Sequence, residues 1–331
     1  MKLAIKENLP NDVTGIGSAL LDITVLVNDT LLDELGFQKG SMHLIDEKRS
    51  KAVLKMLNGL DLAFSPGGSA ANTIAGVNSL GGSALFLGAV GNDDYGRAYI
   101  NETENTGVKT RISVYDGLSG HAITFITPDG ERTFATHLGA ALKFSEDNIA
   151  ERDITSSKTL HLEAYLFEMD ELYNACLKAI KFAKNSGVLV SIDLSDSSLI
   201  ERIYDRMKWT VGEYADIVFA NEDEAFYFTG KREAAALEEL AHLCRFAVVK
   251  LGERGSLIKT DGRIYKIGAV KTNVANTNGA GDIYAGGIIY GLTHGLDAQK
   301  SGDIASAAAA LVVSSEKARL DEKINALALL R

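Results

Sequence analysis

Cysteine and proline are almost missing from this chain. Two cysteines, Cys176 and Cys244, among 331 residues exclude a disulfide-stapled scaffold. Both sit in apolar helical spacing, so they are expected as buried thiols in a reducing compartment. Three prolines, Pro10, Pro66 and Pro128, leave no proline-rich linker, and no repeat or charge block marks a hinge. Long apolar runs are missing too. None reaches the ~18 residues of a membrane helix, and the nearest, 304–313, is mostly alanine. The first ten residues carry Lys2, Lys6 and Glu7 without an apolar core, so no signal peptide is read there and a cytoplasmic location is expected. Basic charge is in deficit: 34 Lys and Arg stand against 44 Asp and Glu, a net charge of −10. That balance argues against nucleic acid or an anionic membrane as the main partner. It does not forbid anionic ligands, because backbone N–H groups can hold phosphate inside an acidic protein. The histidines at 43, 121, 137, 161, 242 and 294 show no metal-ligand spacing. No Gly-x4-Gly-Lys-Ser/Thr and no Gly-x-Gly-x-x-Gly after the first strand is present, so neither a P-loop nor a dinucleotide fingerprint is available.

What is present is the composition of a soluble globular protein, 46% hydrophobic and 24% charged, with enough length for a large core. Short apolar runs at 13–17, 84–89, 159–162, 189–194, 216–220 and 246–250 read as buried strands. They alternate with helical spacing at 47–60, 69–80, 95–106, 172–186 and 234–243. Alternation of this kind implies right-handed crossovers and a mostly parallel sheet covered on both faces. A hairpin is expected at 256–260 and 263–267 around Asp261-Gly262. Helices are expected at 281–294, 298–316 and 322–330. Two stretches break the alternation: strands at 22–27 and 42–45, and three strand-like runs at 111–114, 121–127 and 132–137. The last three are separated by Asp116-Gly117 and Pro128-Asp129-Gly130, which is turn chemistry. They are read as an antiparallel meander forming a β flap. The expected division is an α/β core of residues 1–20, 46–110 and 138–331, and a discontinuous β lid of residues 21–45 and 111–137.

The strongest local feature is Thr277-Asn278-Gly279-Ala280-Gly281-Asp282 ahead of an apolar helix. Small residues let backbone N–H groups converge at a helix N-terminus and form an anion hole. Asp282 falls in the first turn, where the helix dipole is expected to keep its carboxylate ionised. A carboxylate beside a phosphate hole can take the proton of an attacking hydroxyl; a plain helix start is the competing reading. Pro66-Gly67-Gly68-Ser69-Ala70-Ala71-Asn72 is a second glycine turn entering a helix. Asp22 lies in the apolar stretch Leu20-Leu21-Asp22-Ile23, where a charge needs a partner. Asn221-Glu222-Asp223-Glu224 follows a strand and suits either a magnesium shell or a helix start. Arg132 suits a closing phosphate or a plain surface charge.

Taken in chain order, Gly15-x-Gly17 with Asp22, Gly67-Gly68 with Asn72, Asn221-x-x-Glu224, Gly252-x-x-Gly255 and Gly279-Ala280-Gly281-Asp282 resemble the PfkB carbohydrate-kinase (ribokinase-like) family. The resemblance spans nearly the whole chain. It implies a three-layer α/β/α sandwich with a small β-sheet lid, and an ATP-dependent kinase acting on the CH2OH group of a sugar or nucleoside. It implies Asp282 as the catalytic base, with Asn278, Gly279, Ala280 and Gly281 as the anion hole. Asp22, Gly67, Gly68 and Asn72 would bind the acceptor. Gly252, Gly255 and Ser306 would line the ATP site. Asn221 and Glu224 would organise Mg²⁺ through its waters, and Arg132 would close over the phosphates. Leu20-Leu21-Asp22-Ile23, Thr277-Asn278 and Asp193-Leu194-Ser195-Asp196 look closest to the adenosine-kinase-like bacterial branch. Ribokinase and fructokinase readings stay open, as does a non-catalytic binding protein on the same fold. Asn276 stands where the family usually has Asp near a monovalent cation, which leaves that cation unsettled, and Lys317-Ala318 replaces the usual Gly-Ala beside adenine. The lid strands offer edges for a homodimer.

Overall fold

The computed structural model describes residues 3–320 and 322–330. In chain order the strands are β1 (Asn11–Ile16), β2 (Leu21–Leu26), β3 (Met42–Leu44), β4 (Leu62–Pro66), β5 (Ala84–Gly91), β6 (Lys109–Tyr115), β7 (His121–Ile126), β8 (Arg132–His137), β9 (Ser157–Glu163), β10 (Leu189–Asp193), β11 (Ile217–Asn221), β12 (Phe246–Lys250), β13 (Ser256–Thr260) and β14 (Arg263–Ile267). Nine form one sheet in the order β14-β13-β12-β11-β10-β9-β1-β5-β6, and five form another in the order β3-β8-β7-β2-β4. The large sheet is parallel from β12 to β6. The antiparallel pairings in it are β12–β13 and the hairpin β13–β14. Its turn residues Asp261 and Gly262 both have positive φ, the backbone twist that a two-residue hairpin needs.

Each interior parallel strand reads as a continuous apolar run because both faces are covered. One face is packed by Phe167, Cys176, Ile180, Met207, Val211 and Leu237. The other is packed by Ile74, Tyr99, Tyr284, Ile288 and Ala305. Both cysteines are buried and unbonded, as their spacing predicts. The helix Ala280–Thr293 lies between the helices Ser69–Ser79 and Ala298–Val313. Its glycines set the spacing. A methyl group on Gly286 would stand 2.8 Å from the Thr73 carbonyl, and one on Gly287 would stand 2.5 Å from the Ala305 Cα. No helix among the described residues is long and apolar enough to cross a membrane.

Three expectations are corrected. Residues 111–114 belong to β6, which pairs parallel with β5 at the edge of the large sheet, not in the flap. The helix Asp94–Asn105 between β5 and β6 makes an ordinary crossover, but an edge strand exposes alternate residues and so reads like a flap strand. The meander therefore reduces to the antiparallel pair β7–β8. Second, β4 is a strand that the sequence pattern does not announce. It ends in Pro66 and pairs antiparallel with β2 at the edge of the small sheet, where a proline is tolerated. Third, the helix expected at 322–330 is a single 3-10 turn, Ala326–Leu330. A separate small core under the five-stranded sheet gathers Ile23, Val25, Leu32, Leu35, Val53, Ile123 and Phe125.

Candidate active site

Ligands of open parallel sheets bind beyond the carboxyl ends of the strands, where the strand order reverses. Here the reversal falls at β1, with β5 on one side and β9 on the other. The ends of the neighbouring strands supply the site. Glu163 ends β9, Asp193 ends β10, Asn221 ends β11 and Lys250 ends β12, and registers Asp193↔Glu163 and Asn221↔Lys250 bring them level.

A cavity of about 1060 Å³ opens over these ends. Asn221, Glu224, Gly252, Gly255, Asn278, Gly279, Ala280, Gly281, Asp282 and Ser306 all line it, so the motifs assigned to the nucleotide, the metal and the base converge on one space. Gly255 is required by its surroundings: φ is +86°, and a methyl group there would meet the Ile267 carbonyl at 2.0 Å. The Ser306 hydroxyl donates to the Gly268 carbonyl at 2.7 Å, which tethers the loop that forms one wall.

Asp282 sits where this cavity meets a second, closed cluster. Its Oδ1 accepts from Ser69 Oγ at 2.8 Å and its Oδ2 from Asn72 Nδ2 at 2.9 Å. Burial pushes its pKa up to about 7; the hydrogen bonds from Asn72 and Ser69 and the Lys250 cation work against that rise, and the Asp193 anion adds to it. The dipole expectation is thereby corrected: the first-turn position does not hold the carboxyl in its ordinary range, because desolvation outweighs it. A base with a pKa near neutrality is well matched to proton abstraction.

Behind Asp282 the predicted acceptor residues are indeed together. Gly67 has no side chain because Asp22 lies against it; a methyl group there would be 2.4 Å from the Asp22 carboxylate. Gly68, at φ +94°, passes the Ser18 carbonyl so closely that a methyl group would lie 2.1 Å from it. Burial raises Asp22 to about 7, opposed by the Arg319 cation and reinforced by Asp282.

At the helix start, Gly279 has φ +75°. The Asn278 N–H is already committed, since it donates to Asn276 Oδ1 at 2.9 Å, and the Ala280 N–H leans on the Thr277 carbonyl at 3.3 Å. The N–H groups of Gly279 and Gly281 are therefore the better placed members of the expected hole; the first N–H groups of a helix have no intrahelical acceptor. Lys250 lies just behind: a methyl group on Gly281 would stand 3.2 Å from its Nζ. Its ammonium donates to Asp193 Oδ2 at 2.9 Å. Burial works against the Lys250 charge, but Asp193 and Glu224 more than restore it, and its pKa rises.

Asn221 and Glu224 close on each other as a reciprocal cap. The Asn221 N–H and amide group donate to the two Glu224 oxygens at 2.7 and 2.6 Å, and the Glu224 N–H donates to Asn221 Oδ1 at 2.8 Å. The helix-start reading of this motif is thus realised. No group of three or more His, Cys, Asp or Glu among the described residues is arranged to hold a metal ion. Mg²⁺ keeps several waters and is usually held by substrate phosphates with one or two carboxylates. Glu224 and Asp193, both at the cavity wall, fit that outer role.

Arg132 is not brought to the site. It opens β8 opposite Ile126, and Ile126 pairs with Leu26, four residues along β2 from Asp22. That is about 13 Å along a strand, and Arg132 does not line the cavity.

Sequence reasoning missed several residues that the fold places here. Glu163, buried, accepts from the Ser18 and Ala70 N–H groups at 2.8 and 2.7 Å and so ties the two glycine turns together. Arg319 enters from the far end of the chain and donates to Asn72 Oδ1 at 2.8 Å and to the Gly67 carbonyl at 3.1 Å. Neither has a motif around it. Lys250 and Asp193 were visible only as a strand end and a subgroup cue.

A near-neutral carboxylate between a glycine-lined nucleotide-sized cavity and a buried polar pocket belongs to a class of enzyme, the phosphotransferases that act on an alcohol group. The chain belongs to the pfkB family of carbohydrate kinases, whose profile matches residues 41–325. Similar proteins include the 5-dehydro-2-deoxygluconokinase of Bacillus licheniformis, 30% identical over 95% of this chain and 93% of that one. The probable fructokinase-7 of Arabidopsis thaliana is 29% identical over 70% and 71%. Among solved structures, adenosine kinase from Sinorhizobium meliloti superposes with a TM-score of 0.88 at 32% identity, covering 96% of this chain and 98% of that one. The large sheet, the smaller sheet and the helical layers are those of the ribokinase-like fold.

Proposed function

We propose that this sugar or nucleoside kinase transfers the γ-phosphate of ATP to a CH2OH group, with Asp282 as the base, and that its acceptor is adenosine-like. The position of Asp282 at the junction of cavity and acceptor pocket carries the reading. Asp282 takes the hydroxyl proton as the acceptor oxygen bonds to the γ-phosphorus; the bond from that phosphorus to the bridging oxygen breaks, and ADP leaves. The Gly279 and Gly281 N–H groups and the Lys250 ammonium face the charge that develops on the phosphoryl oxygens. Mg²⁺, when bound, would neutralise phosphate charge, and Glu224 and Asp193 are the residues that would hold it through its waters. Asp22 and Asn72 bind acceptor hydroxyls. Asn276 bridges loops instead of carrying charge, its amide donating to the Glu316 carbonyl at 2.9 Å, so no monovalent cation is assigned a place here.

The adenosine-like acceptor is supported by Leu20-Leu21-Asp22-Ile23 and Thr277-Asn278 and by the likeness to the Sinorhizobium enzyme. The 30% identity to a 5-dehydro-2-deoxygluconokinase favours a sugar-type acceptor as the second reading. A coupled ADP assay with Mg-ATP separates them. Adenosine should exceed ribose, fructose and 5-dehydro-2-deoxygluconate in kcat/KM by at least about tenfold, since buried groups that lose their hydrogen-bonding partners discriminate strongly. A free sugar or sugar acid in first place would transfer the assignment. Calorimetric binding with no turnover across the panel would make the chain a binding protein.

The five-stranded sheet, with residues 21–45 and 121–137 and the added strand β4, is the proposed lid. Leu26, Met42, Leu44 and Phe64 on it are exposed apolar side chains, and β3 and β4 are its free edges. These support a homodimer formed through the lid. Sedimentation at micromolar concentration should give a dimer; a monomer, unchanged by Leu26→Lys, would dismiss it.

A further inference from the structure

Arg319 is a buried cation of the acceptor pocket, and only 9% of it is exposed. It arrives on a segment that touches both halves of the site. The Glu316 carbonyl accepts from Asn276 Nδ2 at 2.9 Å. The Ala318 carbonyl lies where any Gly279 side chain would stand, 2.3 Å from that Cβ position. Arg319 itself donates through Nε to Asn72 Oδ1 at 2.8 Å and through Nη2 to the Gly67 carbonyl at 3.1 Å. Farther on, the Ile324 N–H donates to the Ser79 carbonyl at 2.7 Å. Residues 316–319 therefore strap the anion-hole loop to the start of the helix Ser69–Ser79, and Ile324 is held at its far end.

A side-chain amide has a donor end and an acceptor end of nearly the same shape, and its neighbours decide which way round it sits. Arginine has donors only and cannot lose its charge. Facing Arg319, Asn72 must turn its oxygen to the guanidinium, and its NH2 group then points to Asp282 Oδ2 at 2.9 Å. The reversed amide would set two oxygens against each other at Asp282 and two sets of donors against each other at Arg319. A third donor, Nη1, is buried without a hydrogen-bonding partner among the described residues. The guanidinium thereby brings positive charge into a pocket that also holds Asp22 and Asp282.

We propose that Arg319 is a positioning residue for phosphoryl transfer: it fixes the Asn72 amide so that its NH2 group faces Asp282, and it supplies the positive charge that Asp22 faces. The proposal rests on Asp282 as the base and Asp22 as an acceptor-binding group. The charged and polar neighbours of Asp282 are Asn72 and Ser69 on one helix, Asp193 on β10, Lys250 on β12 and Tyr165 just after β9; those of Asp22 are Arg319, Asp282 and Tyr99 on the helix Asp94–Asn105. Arg319 is thus the cation that opposes the burial of Asp22, while Lys250 serves Asp282.

The test compares R319Q and R319K with the wild type in steady-state kinetics from pH 5.5 to 9, using whichever acceptor the panel selects. In R319Q kcat should fall by about 10- to 100-fold, because small misplacements of the reacting groups cost on that order. Its acid limb should move to higher pH by about one unit as Asp282 loses a directed donor. The acceptor KM should rise at pH 7 and recover at high pH, since Asp22 without the facing cation holds its proton longer. R319K keeps the charge but lacks the fork; it should retain the wild-type KM profile while showing the kcat loss and the shifted acid limb. Millimolar methylguanidinium should restore part of the R319Q rate. If R319Q does not fold, R319K carries the test through the split between KM and kcat. Wild-type acid limbs and KM profiles in the folded variants, whatever their melting temperatures, would overturn the proposal. D282N assayed alongside separates the two levels: an active D282N removes the base assignment itself, whereas an inactive D282N with unshifted Arg319 variants removes only the role of Arg319.

Discussion

Asp282→Asn should lower kcat by about 10²–10⁴-fold, with nucleotide binding kept. The substituted amide preserves the volume and one acceptor oxygen, so the partners Ser69 and Asn72 stay engaged in part, but it cannot take a proton. The wild-type rate should fall on the acid side with a limb near pH 7, where burial has placed the carboxyl; below that pH the base is already protonated. The same shift makes a separate statement about stability. The folded carboxyl binds its proton more tightly than the unfolded one, whose ordinary value is 3.8. Its contribution to the stability of the free protein is therefore complete below the unfolded value and is lost as pH rises toward 7. The uncharged amide of D282N would carry no such loss, so at pH 8 the variant should melt at or above the wild-type temperature. An ADP-release assay with a thermal melt checks both halves. Turnover within tenfold of wild type would remove Asp282 as the base, and a lower Tm would give it a structural role instead.

Gly279→Ala should be among the most damaging changes outside the charged groups. Its φ of +75° costs an alanine about 1–2 kcal/mol. The new methyl group would also stand 2.3 Å from the Ala318 carbonyl, and a backbone oxygen tied into a strap cannot turn away. The start of the helix must move, and with it the Gly279 and Gly281 N–H groups. Removing a donor of this kind costs about 10²–10³ in kcat, so a loss of that size, with acceptor KM little changed and a lower Tm, is expected. Gly262→Ala is the control. It has a similar φ of +73° with nothing within 4 Å of the added methyl group, and it lies in a hairpin turn remote from the site. It should lose about 1 kcal/mol of stability and keep its kcat. Equal kinetic losses in the two variants would show that the dihedral angle, not the contact with Ala318, sets the effect.

The parallel sheet was legible because a strand covered on both faces must be apolar throughout, and the intervening helices then force crossovers. The pattern of β6 misleads because an edge strand is wetted on alternate residues, which is also how a flap strand looks. β4 is hidden because Leu62–Pro66 carries a weak pattern and ends in proline. Its partner, β2, decides that it is a strand.

The order of five glycine and carboxylate motifs along the chain determined by itself the family and the fold class, and it singled out Asp282, Asp22 and Asn72 as candidate site residues. Such motifs are local: each glycine is demanded by a turn or a close approach within a few residues of the group it serves. Only the tertiary structure decided the chemical state of those groups. Asp282 titrates near neutrality because of what surrounds it, and Glu163, Lys250 and Arg319 came to the site from strands and a strap with no motif of their own. Arg319 lies 247 positions from the Asn72 amide it holds. Burial and facing charge depend on contacts between distant segments, and short-range spacing carries no record of them.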